Sequence, residues 1–205
     1  ERMNELHAYT AYNSTAKSAF DMALYDISAK AAGKPLYAFL GGEKKSKETD
    51  LTIGIDTPEA MAEKAVEFKN RGVRIIKVKL GREPEEDTER IRRIREAIGD
   101  TLQLRIDANQ GWNQNQAQLA LTELSRYNIE FCEQPMRRYN DHLLPELNRT
   151  SPIPIMADES VFDHHDAKRI IKSKSCSYIN IKLAKSSGIL EALRINEVCS
   201  NHHIS

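Results

Sequence analysis

The 205 residues suffice for one large domain, and 30 Lys plus Arg against 30 Asp plus Glu leave no net charge to draw a polyanion. Basic residues are interleaved with acids, as in EPEEDTERIRRIREAIGD, which reads as a solvated helix face and not as a nucleic-acid footprint. No apolar run approaches the ~20 residues of a membrane helix, and Cys132, Cys176 and Cys199 lack CxxC spacing, so a cytoplasmic protein without a membrane partner is expected.

The first part of the chain is helical. NSTAKSAFDMALYDISAKAA (13–32) is its clearest helix, with Asn13 or Ser14 as the cap and Ala16, Ala19, Phe20, Ala23, Leu24, Ile27 and Ala31 at helical spacing. Gly33 and then Pro35 end it. PLYAFLGG reads as a short helix or turn, and EKKSKETD as a polar connector. From Leu51 strands and helices alternate. Strands are expected at 51–55, 74–80, 102–108, 129–135, 153–158 and 178–184. The helices between and after them are expected near 58–71, 84–98, 114–126, 141–149, 163–172 and 188–199.

This rhythm implies a parallel sheet with helices outside it. No GxGxxG follows the first strand, which lowers the dinucleotide-binding reading. A (β/α)8 barrel needs eight units where six are visible, so an incomplete barrel is expected, with a complete six-stranded open sheet as the alternative. The chain also opens without Met and stops at NHHIS where a further strand is due, which suggests a fragment.

The strand ends carry what strands buried on both faces should lack. Lys77 and Lys79, Asp107, Glu133, Asp158 and Lys182 stand near the carboxyl ends of the second to the sixth strand, one position or pair per strand. In both candidate folds those ends hold the active site. Strand alternation gives Lys77 and Lys79 one face and Val78 the other; Arg105, Asp107 and Asn109 share a face, as do Asn180 and Lys182. Cys132 lies opposite Glu133 and reads as packing. Three carboxylates from adjacent strands repel unless a cation joins them, and an all-oxygen donor set favours Mg²⁺ over Zn²⁺. A lysine beside another cation, as Lys79 beside Lys77, loses proton affinity and becomes a usable base. The pairs His164-His165 and His202-His203 are expected in loops or at strand entries without a role, Asp26 as a structural hydrogen bonder, and Trp112 as packing at a strand–helix turn.

Taken together, KVK (77–79), DAN (107–109), EQP (133–135), DES (158–160) and NIK (180–182) resemble the enolase superfamily, and the KxK pair with a later single lysine resembles its muconate-lactonizing-enzyme subgroup. The likeness extends to ALYDISAKAAGKPLYAFLGG, similar to the helix leading from that family's capping domain into its barrel. The resemblance implies that residues 1–48 end a capping domain and that 49–205 form barrel strands one to six. It implies that Asp107, Glu133 and Asp158 bind Mg²⁺, that Lys79 and Lys182 move a proton on opposite faces of an α-carbon, and that the carbanion is held as a metal-stabilised enediolate. Lys77 then tunes Lys79 and touches substrate, Thr52 contacts substrate, and Asn109 supports the ligands from behind.

Within the subgroup, RIDANQGW, PIMADESVF and NIKLAKSSGI are most similar to L-Ala-D/L-Glu and related dipeptide epimerases. A small dipeptide substrate is thereby implied, along with a homo-oligomer of the kind this family often forms. Two alternatives stay open. One is an o-succinylbenzoate synthase, N-acylamino acid racemase or muconate-type cycloisomerase with the same bases; the other is a non-catalytic remnant of such a barrel.

Overall fold

A computed structural model describes residues 2–204. In chain order its elements are α1 (Arg2–Tyr9), α2 (Ser14–Ala31), α3 (Leu36–Phe39), β1 (Leu51–Ile53), α4 (Pro58–Asn70), β2 (Ile75–Lys79), α5 (Pro84–Ile98), β3 (Gln103–Asp107) and α6 (Gln114–Leu124). There follow β4 (Ile129–Glu133), α7 (Leu144–Thr150), β5 (Ile155–Ala157), α8 (His164–Lys172), β6 (Tyr178–Ile179) and α9 (Ile189–Asn201), with 3-10 turns at Ser125–Tyr127 and Arg138–Leu143. Two compact units emerge: residues 49–160 with 170–179, and residues 1–48 with 161–169 and 180–205.

The unit that starts at Thr49 holds a six-stranded, all-parallel sheet in the order β1-β2-β3-β4-β5-β6. Sequential neighbours in space, each reached through a helix, are the six expected strand–helix units. Inward alternation makes the core: Ile76, Val78, Leu104, Ile106, Cys132 and Ile155 are wholly buried, as are Ile91, Ile94 and Ile98 along one stripe of α5. Helix starts follow local chemistry. The Thr57 hydroxyl accepts the Ala60 N–H at 3.3 Å ahead of Pro58, and Asn113 with Gln116 forms a reciprocal capping box on α6.

The amino end of this sheet is tied by one side chain. Arg95, buried on the last turn of α5, donates to the carbonyls of Gly99 (2.8 Å), Leu102 (2.9 Å) and Tyr127 (2.9 Å). These carbonyls belong to the segments that enter β3 and β4. Burial pushes the guanidinium pKa down, with a weaker opposing effect from Asp100.

At the carboxyl end the exits of β2 and β3 lie backbone against backbone. Gly81, at φ +101°, has room for no Cβ, since one would stand 2.1 Å from the Ala108 carbonyl oxygen; a Cβ on Gly111 would stand 2.2 Å from the Gly81 carbonyl oxygen. Asp87, wholly buried, accepts the Gly81 (2.9 Å) and Arg82 (2.8 Å) N–H groups and the Trp112 indole N–H (3.0 Å). Trp112 therefore does pack at the strand–helix turn, with its polar edge satisfied.

In the other unit, α2 departs from the expected facing. Phe20 and Ile27 are more than 60% exposed, while Lys17, Ser18 and Asp21 are buried. Asp21 explains the inversion: its Oδ2 accepts the N–H groups of Ile189 and Leu190 (3.1 Å for the latter) and so caps the start of α9. A Cβ at Gly188 would lie 2.3 Å from that oxygen. Asn13 holds the N-cap position of α2 but in a left-handed conformation, and its side chain makes no cap bond.

Three further boundaries differ from expectation. The helix expected at 141–149 begins only at Leu144, because Pro145 suits a first helical turn and not an interior; a 3-10 turn precedes it. The pair His164-His165 opens α8, where the His164 ring is paired with buried Glu191. β6 stops at Ile179, and the Lys182 carbonyl accepts the N–H groups of Lys185 and Ser186, both at 2.9 Å, so the chain is turning where an extended strand was expected. Among the described residues β6 pairs with β5 alone, so it has a ladder on one side to hold it straight.

Gly81→Ala is expected to lower stability by roughly 1–3 kcal/mol through overpacking, read as a lower urea midpoint at unchanged slope. An unshifted midpoint would show that the β2 and β3 exits part without cost.

Candidate active site

Parallel register gathers the site. Thr52 pairs with Lys77, Lys79 with Asp107, and Asp107 with Glu133. Partners across a ladder point to one face, so Thr52, Lys77, Lys79, Asp107 and Glu133 line the same side of four neighbouring strands. Asp158 directly follows β5 with the parity of Met156, which pairs with Glu133.

The acids have lost their water: Asp107, Glu133 and Asp158 are 0%, 1% and 0% exposed. Unpaired carboxylates at that depth carry a desolvation penalty of several kcal/mol each. Lys77 supplies the countercharge, with its ammonium bound to Glu133 Oε2 and, at 2.9 Å, to Asp107 Oδ2. Lys79 Nζ reaches the same Asp107 oxygen at 2.7 Å and Asn109 Oδ1 at 2.6 Å. Burial opposes the Lys77 charge, but the hydrogen bonds to Glu133 and Asp107 outweigh it and hold its pKa above the ordinary lysine value. Lys77 and Lys79 also share a partner. An aspartate oxygen shared by both stands between them.

Loop geometry completes the arrangement. The Asn109 N–H donates to Asp107 Oδ1 at 2.9 Å, a turn that starts directly at the strand end, and Asn109 itself takes φ +43°. Its amide Nδ2 donates to Glu159 Oε1 at 3.3 Å. Gln134 fixes the exits of β4 and β5: its Oε1 accepts the Asp158 N–H at 2.9 Å, and its Nε2 donates to Ser160 Oγ at 2.8 Å and to the Met136 carbonyl at 3.0 Å. The sequence reading gave no role to Gln134, Glu159 or Asp87. Gln134 stands beside Pro135 and reads as turn, while Asp87 hides among the acids that any helix N-terminus favours.

Lys182 is exposed and lies beyond β6, in the unit that does not contain the acids. The three expected metal ligands also differ from a ready cage. Among the described residues no three of His, Cys, Asp or Glu stand close enough together to hold a metal ion, and Lys77 occupies the space between Asp107 and Glu133. The donor chemistry still fits a hard divalent cation, because three water-excluded carboxylates follow one another along the strand ends with no soft ligand among them. Cys132, the thiol nearest in sequence, is wholly buried, and burial pushes its pKa well above the ordinary value. It packs, as expected.

Comparison with known proteins agrees with this geometry. Residues 60–205 match the family model described as enolase C-terminal domain-like, and residues 1–41 match the mandelate racemase / muconate lactonizing enzyme N-terminal domain. A D-Ala-D/L-Ala epimerase of Cytophaga hutchinsonii is 51% identical over 94% of this chain and 52% of its own length. An L-Ala-D/L-Glu epimerase of Clostridium acetobutylicum is 44% identical over 89% of this chain and 52% of its own. The crystal structure of a dipeptide epimerase from Cytophaga hutchinsonii, complexed with Mg and the dipeptide D-Ala-L-Val, superposes with a TM-score of 0.96 at 49% identity, covering 98% of this chain and 55% of that one. The chain thus spans about half the length of the curated relatives it matches. Its six parallel strand–helix units are those of a (β/α)8 barrel and not of a complete open sheet.

Lys77→Met is expected to destabilise the metal-free protein by roughly 3–5 kcal/mol, the cost of leaving buried charge without its partner. Urea unfolding at pH 7 measures it. Because the folded pKa of Lys77 is raised, the stabilisation is complete at neutral pH and is lost only as pH climbs above the ordinary lysine range.

Proposed function

The chain belongs to the enolase C-terminal domain-like family, and from that premise we propose that the protein is a Mg²⁺-dependent dipeptide epimerase working by proton transfer between two lysines. The observation that carries the reading is the contact set at the strand ends, with Lys79 Nζ against Asp107 and Asn109 and Lys77 joining Asp107 to Glu133. A lysine amine is held beside the oxygen of a water-excluded carboxylate, a setting suited to removal of a weakly acidic α-proton. The similarity to D-Ala-D/L-Ala and L-Ala-D/L-Glu epimerases supports a small dipeptide as substrate.

In this reading Asp107, Glu133 and Asp158 would hold Mg²⁺. When bound, the ion offsets the negative charge that grows on the substrate carboxylate as the α-proton leaves. Lys79 takes the proton from one face of the α-carbon. Lys182, assigned from its NIK motif, delivers a proton to the other face, since inversion requires removal and return on opposite sides. Lys77 supplies the countercharge of Asp107 and Glu133 and contacts the substrate, while Thr52, exposed and in register with Lys77, offers a hydroxyl to it. Asn109 holds Lys79 Nζ by its side-chain carbonyl.

Residues 1–48 are read as the end of a capping domain and 49–205 as barrel. Cys132, Cys176 and Cys199 are all buried, and none has the spacing of a disulfide framework, which supports a reducing, cytoplasmic location.

The test uses the full-length gene product with Mg²⁺ in D₂O and a panel of L-Ala-L-Glu, Ala-Ala and other dipeptides alongside N-succinyl amino acids. Proton NMR is expected to show loss of a dipeptide α-proton and appearance of the other diastereomer, with Lys79→Ala or Lys182→Ala lowering epimerisation by at least about 10³-fold. Exchange confined to N-succinyl compounds would move the assignment to a racemase, and no exchange at all would end it.

A further inference from the structure

Glu159 lies next to Asp158, yet its side chain reaches Asn109. Its Oε1 accepts a hydrogen bond from Asn109 Nδ2 at 3.3 Å, and Asn109 Oδ1 in turn accepts one from Lys79 Nζ at 2.6 Å. The three residues come from the ends of β5, β3 and β2. An amide can be held either way round, and only one orientation turns its carbonyl to the lysine. The Glu159 Oε1 acceptor behind Asn109 is met by the Nδ2 side of the amide, which leaves Oδ1 facing Lys79. The main chain fixes Asn109 on its other side, through its N–H to Asp107 Oδ1 at 2.9 Å. The second Glu159 oxygen, Oε2, is buried and has no hydrogen-bond partner among the described residues. A side chain kept there despite an unsatisfied oxygen is not maximising its own stability.

We infer that Glu159 is a positioning residue for one half of the proposed reaction: it orients the Asn109 amide and through it aims Lys79 Nζ, without touching substrate. The inference rests on the epimerase reading and adds an asymmetry to it. Glu159 serves the base on one face of the α-carbon and has no part in proton transfer on the other.

That asymmetry is measurable. With the Mg²⁺-loaded full-length protein in D₂O, α-proton exchange is followed separately from each of the two diastereomers of a dipeptide that the wild type epimerises, and Lys79→Ala identifies the diastereomer whose proton Lys79 removes. Glu159→Ala is expected to slow exchange from that diastereomer by about tenfold or more, the scale of a small misplacement of a reacting group, and to leave exchange from the other within about twofold. Glu159→Gln, which keeps an acceptor for Asn109, is expected to restore the lost exchange. Equal loss from both diastereomers, or a glutamine variant as slow as the alanine one, would overturn the inference, the first by making Glu159 a general support of the site. If the alanine variant does not fold, Glu159→Met, which keeps the length of the side chain without an acceptor, takes its place: slowing confined to the Lys79 diastereomer upholds the positioning role, and equal slowing or wild-type rates from both reject it. A wild type that exchanges neither diastereomer of any dipeptide fails the epimerase reading itself, a result distinct from either outcome at Glu159.

Discussion

The arrangement depends on how negative charge is kept out of water at the carboxyl end of a parallel sheet. Asp107 and Glu133 sit opposite one another on adjacent strands, both essentially inaccessible. Left alone they would repel and would pull water or protons into the core. The Lys77 ammonium between them removes that conflict and imposes a geometry, because it must reach two strands away while its backbone stays in β2. Lys79, two residues on, then finds its Asp107 oxygen already fixed. The countercharge is thus also the alignment device, and the basic amine is placed by the same ion pairs that make burial tolerable.

The loops above the sheet act as spacers whose dimensions are set by backbone contact. Gly81 and Gly111 allow the exits of β2 and β3 to touch, and Asp87 gathers two backbone N–H groups and the Trp112 indole beneath them. With the main chain so constrained, Asn109 has little freedom except rotation of its amide. Gln134 does the equivalent work between the exits of β4 and β5. Precision at the strand ends comes from groups buried just behind them, none of which carries a reacting atom.

Much of this was legible in the chain itself. Strand–helix alternation is a property of local periodicity, and α5 begins and ends at the expected residues. The row of strand-end charges is legible because parallel strands ought to be apolar there, so each charge is an exception with a position. What escaped depends on partners distant in sequence. Asp21 is indistinguishable from any helix-surface aspartate until α9 is seen to start on it, and the apolar residues of α2 suggested the wrong inward face for that reason. The shared oxygen of Asp107 escaped because two lysines on one face suggest repulsion, and only the register reveals the anion between them. The early end of β6 follows from turn bonds at Lys185 and Ser186 that no alternation pattern announces.

At the opposite end of the sheet, Arg95 spends its donors on carbonyls of the segments that lead into β3 and β4. It is remote in role from everything that could meet a ligand. A framework secured from below by a group with no chemical duty can accept replacement of residues at its upper edge one at a time, each paying only its local cost. Such a scaffold is suited to change by small steps, since alterations at the mouth need not be renegotiated with the foundation.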